Sequence, residues 1–547
     1  MDIIRKFLQK IEGLIGALLD QEVSMALWAS SFLGITFLRV LEERFFASNQ
    51  TDVGGVINGF LYNFFFFIIL FLIIWLLLSF VLEIRISKLS GVILWSFWLV
   101  LLPPVLDMIK TGGGVFWSFY ALGSLSELWK QFITLFGDLP SGIMYFGAKI
   151  GFVLAIIFVA GLILIRTRNV FKMLLGALAT YVIIFFLGTL PSWLTIAYYF
   201  FQGSKKITQV NEIDAVQFFG RPYPIFGLTD FNLKFSFTYN LNIVYFLLLL
   251  FFAGLLFFIA DRRKFWAVLK NVRLPQMIYH AGLFFIGMGL GWLAYPQNFN
   301  LNIFSSMAVL VLLSSIWLAW NASVVVNDLY DCKIDEVTNR MRPLPQHIFS
   351  KNGYRDLGMV LFLLSLIGGL VIGLKFAALL LIYQIIAWFY SAEPYRLKRF
   401  PAVATFVSAL ASVMVLIIGF SLFSGADNIA HLSWRLIIMF LFVFTLSLPI
   451  KDFKDIEGDR KDGVWTIPVM FGDDFGRTIV AVGVFISFLS SPFFLNEFGL
   501  FWWALLFGGG AYLIITRKTT KSRRLFWWML GFVTVYGFVI VKTLFLK

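Results

Sequence analysis

One cysteine, Cys332, stands in 547 residues, so the chain has no internal disulfide. The three histidines, His280, His347 and His431, are scattered, which excludes a Cys/His metal centre. Charge is also scarce. Only 14% of residues are Asp, Glu, Lys or Arg, against about 25% in a soluble domain. The alternating ten-residue segments that build outer-membrane barrels are missing. Residues 1–20 (MDIIRKFLQKIEGLIGALLD) lack the long apolar stretch and small-residue site of a cleaved leader. Their mixture of basic and apolar positions predicts an interfacial helix instead.

Hydrophobic residues fill the space that charge leaves: 60% of the chain, with 66 Phe and 18 Trp. Apolar runs near twenty residues recur along the whole length and predict an all-α polytopic membrane protein. Nine spans are expected near 276–294, 304–326, 356–374, 376–391, 402–423, 434–450, 477–495, 499–516 and 525–546. About six more precede them, near 24–42, 60–82, 91–109, 144–165, 174–197 and 241–259. The net charge of +14 would suggest nucleic-acid binding in a soluble protein. Here the basic residues sit in short loops, such as 262–273, 327–355, 396–399 and 517–524, so they read as an orientation signal. No nucleic-acid partner is expected. The basic loops are assigned to the cytoplasm, and a cell (inner) membrane is the expected location. Residues 1–261 form an N-terminal multi-span domain whose sparse charges point to no chemistry, and 262–547 form a second domain. Pro103-Pro104 with Asp107 reads as a kinked span end.

The acids are not spread evenly. Four lie in 327–336 and seven in 451–474, together 11 of the 30 in the chain. Both windows carry the spacing D-x-x-D-x-x-x-D: Asp328, Asp331 and Asp335, then Asp452, Asp455 and Asp459. Offsets of three and seven place three carboxylates on one helix face, where like charges repel. A cation should therefore sit among them. Mg²⁺ suits best, with Mn²⁺ as a substitute, because it is hard, oxygen-seeking and commonly shared with phosphates. An isoprenyl diphosphate reacts by losing diphosphate from C1, and metals with Lys or Arg donors stabilise that departing charge. Asn327 adds a neutral ligand or donor. Arg340, Arg342, Arg396 and Lys398 are candidate diphosphate clamps, Arg being suited to bidentate contact.

Three stretches, NDLYDCKIDEVTNRMRPLP, YSAEPYRLKRF and KDFKDIEGDRKDGVWTIPVMFG, resemble the signature regions of the UbiA superfamily of intramembrane prenyltransferases and stand in the family's order. The resemblance covers about 270–547; the N-terminal half has no counterpart in it. It implies a nine-helix bundle arranged as a ring around a lipid-filled cavity, capped by the motif loops. It also implies that Asn327 and the six Asp residues bind Mg²⁺–diphosphate, assisted by Arg340, Arg342, Lys398 and Arg460. Lys451 joins them as a candidate substrate contact. Some members carry a Tyr four residues before a Lys in the loop after the fourth span. Here Pro394 holds that place before Lys398, while Tyr395 precedes Arg399 by four, so Tyr390 and Tyr395 are both candidates.

The expected activity is Mg²⁺-dependent transfer of a polyprenyl group from polyprenyl diphosphate to a small aromatic acceptor within the membrane, in quinone or related lipid biosynthesis. A glycerol phosphate or phosphoribosyl acceptor is the alternative. The expected partners are the diphosphate, the acceptor and membrane lipids. A cation-coupled transporter is the competing class, and it would place acids near mid-span. A non-catalytic scaffold would not need both Asp triads.

Overall fold

The computed structural model describes residues 2–47, 53–112, 120–139, 144–220, 225–228, 236–424, 431–461, 463–517 and 522–545. Among these residues, fifteen helices are long and apolar enough to cross a membrane. The first six are α1 (Met25–Phe46), α2 (Val56–Leu82), α3 (Ile86–Thr111), α4 (Phe146–Thr167), α5 (Val170–Gly188) and α6 (Ser236–Ala260). The other nine are α7 (Leu274–Ala294), α8 (Ile303–Tyr330), α9 (Lys351–Ile372), α10 (Leu374–Ser391), α11 (Pro401–Ser421), α12 (Trp434–Lys454), α13 (Ile467–Leu495), α14 (Phe498–Thr516) and α15 (Arg524–Leu544). The expected six-plus-nine arrangement is found. Large side chains such as Phe80, Trp434 and Trp502 stand exposed on these helices, an arrangement that water opposes and lipid accepts.

Two compact units divide the chain. One comprises Met1–Tyr223 and Phe231–Phe265. Its centre is α2, which packs against α1, α3, α4, α5 and α6 and buries Phe64, Phe65 and Phe66. Pro103 and Pro104 open a new α-helical segment after the 3-10 turn Phe97–Leu101, so the hydrogen-bond pattern of α3 changes there. Asp107 is buried beyond that change and accepts a hydrogen bond from the Gly147 backbone N–H at 2.7 Å.

The other unit comprises Pro224–Asp230 and Trp266–Lys547. Each helix from α7 to α15 touches the next in sequence, and α15 returns to α7, so the nine close into a ring. Helix α7 also crosses α11 closely. A Cβ on Gly287 would lie 2.0 Å from the Leu416 carbonyl oxygen, so only glycine permits this approach. The residues Ile225–Leu228, distant in sequence, belong to this unit as well. Gly227 N–H donates to the Leu422 carbonyl at 3.1 Å, and the Phe226 ring lies 4.7 Å from that of Phe423.

Both acidic motifs fall at the ends of spans, and neither lies on one continuous helix. Helix α8 stops at Tyr330, Asp331 takes φ −95° and ψ 9°, and a short helix runs over Cys332–Thr338. The second motif repeats this arrangement. The 3-10 turn Leu448–Lys454 ends α12, Asp455 takes φ −115° and ψ 10°, and Ile456–Lys461 follows as a short helix. Breaking each helix at its middle Asp spreads carboxylates that an unbroken helix would stack on one face, where like charges destabilise one another.

Candidate functional site

Each motif is held in place by an apolar anchor. In the second, Phe453 is buried with Val480, Val484 and Leu525, on a different side from the cavity that Asp452 and Asp455 line. The two short helices meet at Gly458, where a Cβ would lie 2.4 Å from the Ile334 Cγ2. That close approach brings the triads together. Asn339 joins them directly: its amide Nδ2 donates to Asp335 at 3.1 Å and to Asp455 at 3.2 Å.

A cavity of about 210 Å³ opens beside this junction. Its polar end is lined by Asn327, Asp331, Asp335, Asn339, Arg342, Lys398, Asp452, Asp455 and Asp459, with Arg273, Lys451 and Lys454. Its apolar wall includes Trp320, Val324, Ile386, Val407 and Phe526, interrupted by Tyr279, His280 and Tyr383. The geometry therefore offers charged groups at one end and a hydrocarbon-compatible interior at the other.

The expected cations among the acids include the protein's own. Arg342 donates to Asp328 at 3.1 Å and also to Asp335. Asp331 is held by Arg396 at 3.1 Å and by Lys398. Asp328 is 1% exposed and does not line the cavity. Its oxygens accept from Arg273 (2.7 Å), Asn271 (2.7 Å), Tyr354 (3.1 Å) and Arg342. Such a carboxylate orients its donors and is saturated by them. By contrast, among the described residues the carboxylates of Asp452 and Asp459 make no ion pair. Burial and then the neighbouring Asp452 and Asp455 push Asp459 up to about 8, against the pull of Lys398. Burial likewise raises Asp335 to about 6, with Asp328 adding to the shift and Arg342 opposing it. Burial lowers Lys398, and Asp331 offsets part of that.

The sequence-derived candidates separate into three groups. Asn327, Asp331, Asp335, Arg342, Tyr390, Lys398, Lys451, Asp452, Asp455 and Asp459 line the cavity. Asp328 and Arg396 stand behind it and hold lining residues. Arg340, Arg460 and Tyr395 are exposed and do not line it; Arg340 Nε instead donates to the Glu336 carbonyl at 3.1 Å. Arg273, Asn339 and Lys454 were not singled out from the sequence. Arg273 lies in the basic stretch before α7 that reads only as an orientation signal. Asn339 does carry a local sign, its four-residue spacing from Asp335.

The six Asp residues of the motifs are matched in number by six basic side chains, Arg273, Arg342, Arg396, Lys398, Lys451 and Lys454, so the site carries no large excess of either charge by itself. A bound diphosphate would add negative charge that these residues do not balance. Among the described residues no three carboxylate, imidazole or thiolate groups already converge as a metal cage. The donor set nevertheless fits a hard divalent cation: oxygen ligands only, two of them making no ion pair, with Asp459 raised by burial and then by adjacent like charge.

The profile of the UbiA prenyltransferase family matches residues 282–535. Digeranylgeranylglyceryl phosphate synthase of Sulfolobus acidocaldarius is 30% identical over 235 residues, covering 42% of this chain and 79% of the relative. The enzyme of that name from Methanocaldococcus jannaschii is 26% identical over 223 residues, 40% of this chain and 74% of the relative. Among solved structures, a UbiA homolog from Archaeoglobus fulgidus bound to GPP and Mg²⁺ aligns at 20% identity with a TM-score of 0.39, covering 50% of this chain and 99% of its own.

Proposed function

The chain belongs to the UbiA prenyltransferase family, and on that premise we propose that it alkylates a glyceryl phosphate lipid with a polyprenyl group taken from a polyprenyl diphosphate. It is a membrane-embedded prenyltransferase with many spans. The observation that carries the reaction type is the Asn339 bridge. It joins two carboxylate clusters, ringed by Lys and Arg, at the mouth of an apolar cavity. The acceptor assignment is supported by the two relatives named above, both glyceryl phosphate prenylating enzymes by name. The aromatic acceptor expected from the sequence gives way to the glycerol phosphate alternative.

Asp331, Asp335, Asp452, Asp455 and Asp459 would hold Mg²⁺, with Asn327 as a neutral partner. Bound there, Mg²⁺ supplies Lewis-acid neutralisation of the departing diphosphate. Arg342 and Lys398 place positive charge beside the phosphate oxygens, and Asp328 and Arg396 keep those groups in position. The C1–O bond breaks with its electron pair leaving on the diphosphate. The acceptor hydroxyl oxygen forms the new C–O bond, and its proton ends on the released diphosphate. The wall of Trp320, Val324, Ile386 and Phe526 takes the prenyl chain and excludes water from the allylic cation.

The test is a transfer assay with purified protein, Mg²⁺ and an isoprenyl diphosphate, offering a prenylglyceryl phosphate and an aromatic hydroxy acid separately. The expected product is the dialkyl glyceryl phosphate, formed with Mg²⁺ and lost with chelator. Prenylation of the aromatic acid alone would overturn the acceptor assignment. Transfer undiminished in excess chelator would overturn the metal-dependent mechanism.

A further inference from the structure

Five of the six basic side chains at the site sit on an acid. Arg273, Arg342, Arg396, Lys398 and Lys454 each lie within 4 Å of a carboxylate oxygen. Lys451 differs. Among the described residues no carboxylate lies within 4 Å of its Nζ, and its two hydrogen bonds go to neutral hydroxyls, Tyr390 at 3.1 Å and Ser408 at 3.0 Å. The Tyr390 ring also lies 4.9 Å from the ammonium. An ammonium carries three N–H donors, so one remains after these two contacts. Lys451 is half-buried at the end of α12 and lines the cavity with both of its partners. Asp452 acts on this ammonium only from beyond 4 Å, so an anion entering the cavity would supply the contact ion pair that Lys451 lacks.

The donor diphosphate would be met by Mg²⁺ held at the Asp clusters and by the Arg and Lys residues seated on them. A second anion in the same cavity needs a cation of its own. We propose that Lys451, with Tyr390 and Ser408, holds the phosphate monoester of the acceptor in a subsite separate from the diphosphate site. This rests on the glyceryl phosphate reading above. Because Lys451 directly precedes Asp452, the two anions would be neighbours, which brings the acceptor hydroxyl close to C1 of the donor. An uncharged acceptor would leave the ammonium without a contact anion, so the subsite selects for phosphorylated acceptors.

The experiment compares wild-type protein with Lys451→Gln, Lys451→Arg and Ser408→Ala, each with Mg²⁺. Three quantities are measured: KM for a prenylglyceryl phosphate, KM for the matching unphosphorylated prenylglycerol, and direct binding of the isoprenyl diphosphate. Lys451→Gln is expected to raise the phosphate-acceptor KM by about tenfold to a hundredfold, the range for a hydrogen bond to a charged group. Donor binding should stay within about twofold, which also shows that the variant is folded, and the prenylglycerol KM should not move. Lys451→Arg should recover most of the loss, and Ser408→Ala should raise the phosphate-acceptor KM by a few-fold. Should Lys451→Gln weaken donor binding while the wild-type protein uses the phosphate acceptor normally, Lys451 belongs to the donor and the subsite is overturned. The subsite is likewise overturned if Lys451→Gln fails to fold and Ser408→Ala leaves the acceptor KM unchanged. Wild-type turnover with neutral acceptors only would remove the glyceryl phosphate reading itself, and the subsite with it.

Discussion

Six carboxylates of identical spacing have unequal surroundings, and the differences predict different losses. Asp328 is buried under four donors, two of them Arg side chains. Asp328→Ala leaves Arg273 unpaired and Arg342 with Asp335 alone, and removing one partner of a buried pair costs about 3–5 kcal/mol. The protein should therefore become scarce in membranes and melt earlier. Asp455→Ala removes a cavity-facing group outside the packed spans. Its abundance should stay near normal while transfer falls by about a hundredfold, the scale of one electrostatic element. Quantifying membrane protein and turnover side by side separates the two; equal abundance for both variants would refute the distinction. Titration gives a second prediction. Asp459 at about 8 and Asp335 at about 6 lie above the usual carboxylate value of about 4. At pH 7 Asp459 is mostly protonated, and cation binding must displace that proton. Affinity for Mg²⁺ should thus rise with pH, by up to about tenfold per unit between 6 and 8, and level off above 8. Calorimetric Mg²⁺ titrations at pH 6, 7 and 8.5, with a non-ionisable isoprenyl diphosphate analogue present throughout, check this, and an affinity that is flat or falls with pH contradicts it.

At the scale of elements, the site depends on two short helices meeting at Gly458. Any Cβ there must displace Ile334 and Thr338, and with them Asp335, Asn339 and Asp455. Gly458→Val should lower turnover at least tenfold, roughly the cost of a catalytic geometry misplaced by about 1 Å. Its thermal stability should change little, because the ring of spans is untouched. Gly289→Ala is the control, since nothing lies within 4 Å of that position. Equal activity of the two variants would show that the junction does not position the acids. The helices themselves were legible in the sequence, because each span needs about twenty apolar residues and little else. The breaks at Asp331 and Asp455 were not, because no Pro or Gly marks either one. Nor does spacing show which bases turn inward. Arg340 and Arg342 are two residues apart, yet only Arg342 reaches the acids. Arg273 and Asn339 owe their roles to carboxylates 55 and 116 positions away, and no local pattern records such a contact.

At the scale of the whole molecule, both triads must meet the same water, since Mg²⁺ and released diphosphate have to exchange there. In a chain with Cys332→Ser, single cysteines at the exposed positions Met341 and Gly463 should react alike with an impermeant reagent. One at Gln297, at the other end of α7, should react from the opposite face. Opposite labelling of Met341 and Gly463 would rule out a common site. The bundle and its two triads could be read from sequence because both are repetitive patterns; that the triads converge was implied only by the family resemblance, because convergence is made by contacts distant in sequence. That convergence is the central claim, and Mn²⁺ reports on it directly. Electron paramagnetic resonance should count bound Mn²⁺ in the presence of a non-ionisable isoprenyl thiolodiphosphate for wild-type, Asp331→Ala and Asp455→Ala protein. A single shared site predicts that Mn²⁺ binding requires the analogue and that either substitution abolishes both together. Wild-type binding of Mn²⁺ and analogue by either variant would contradict it.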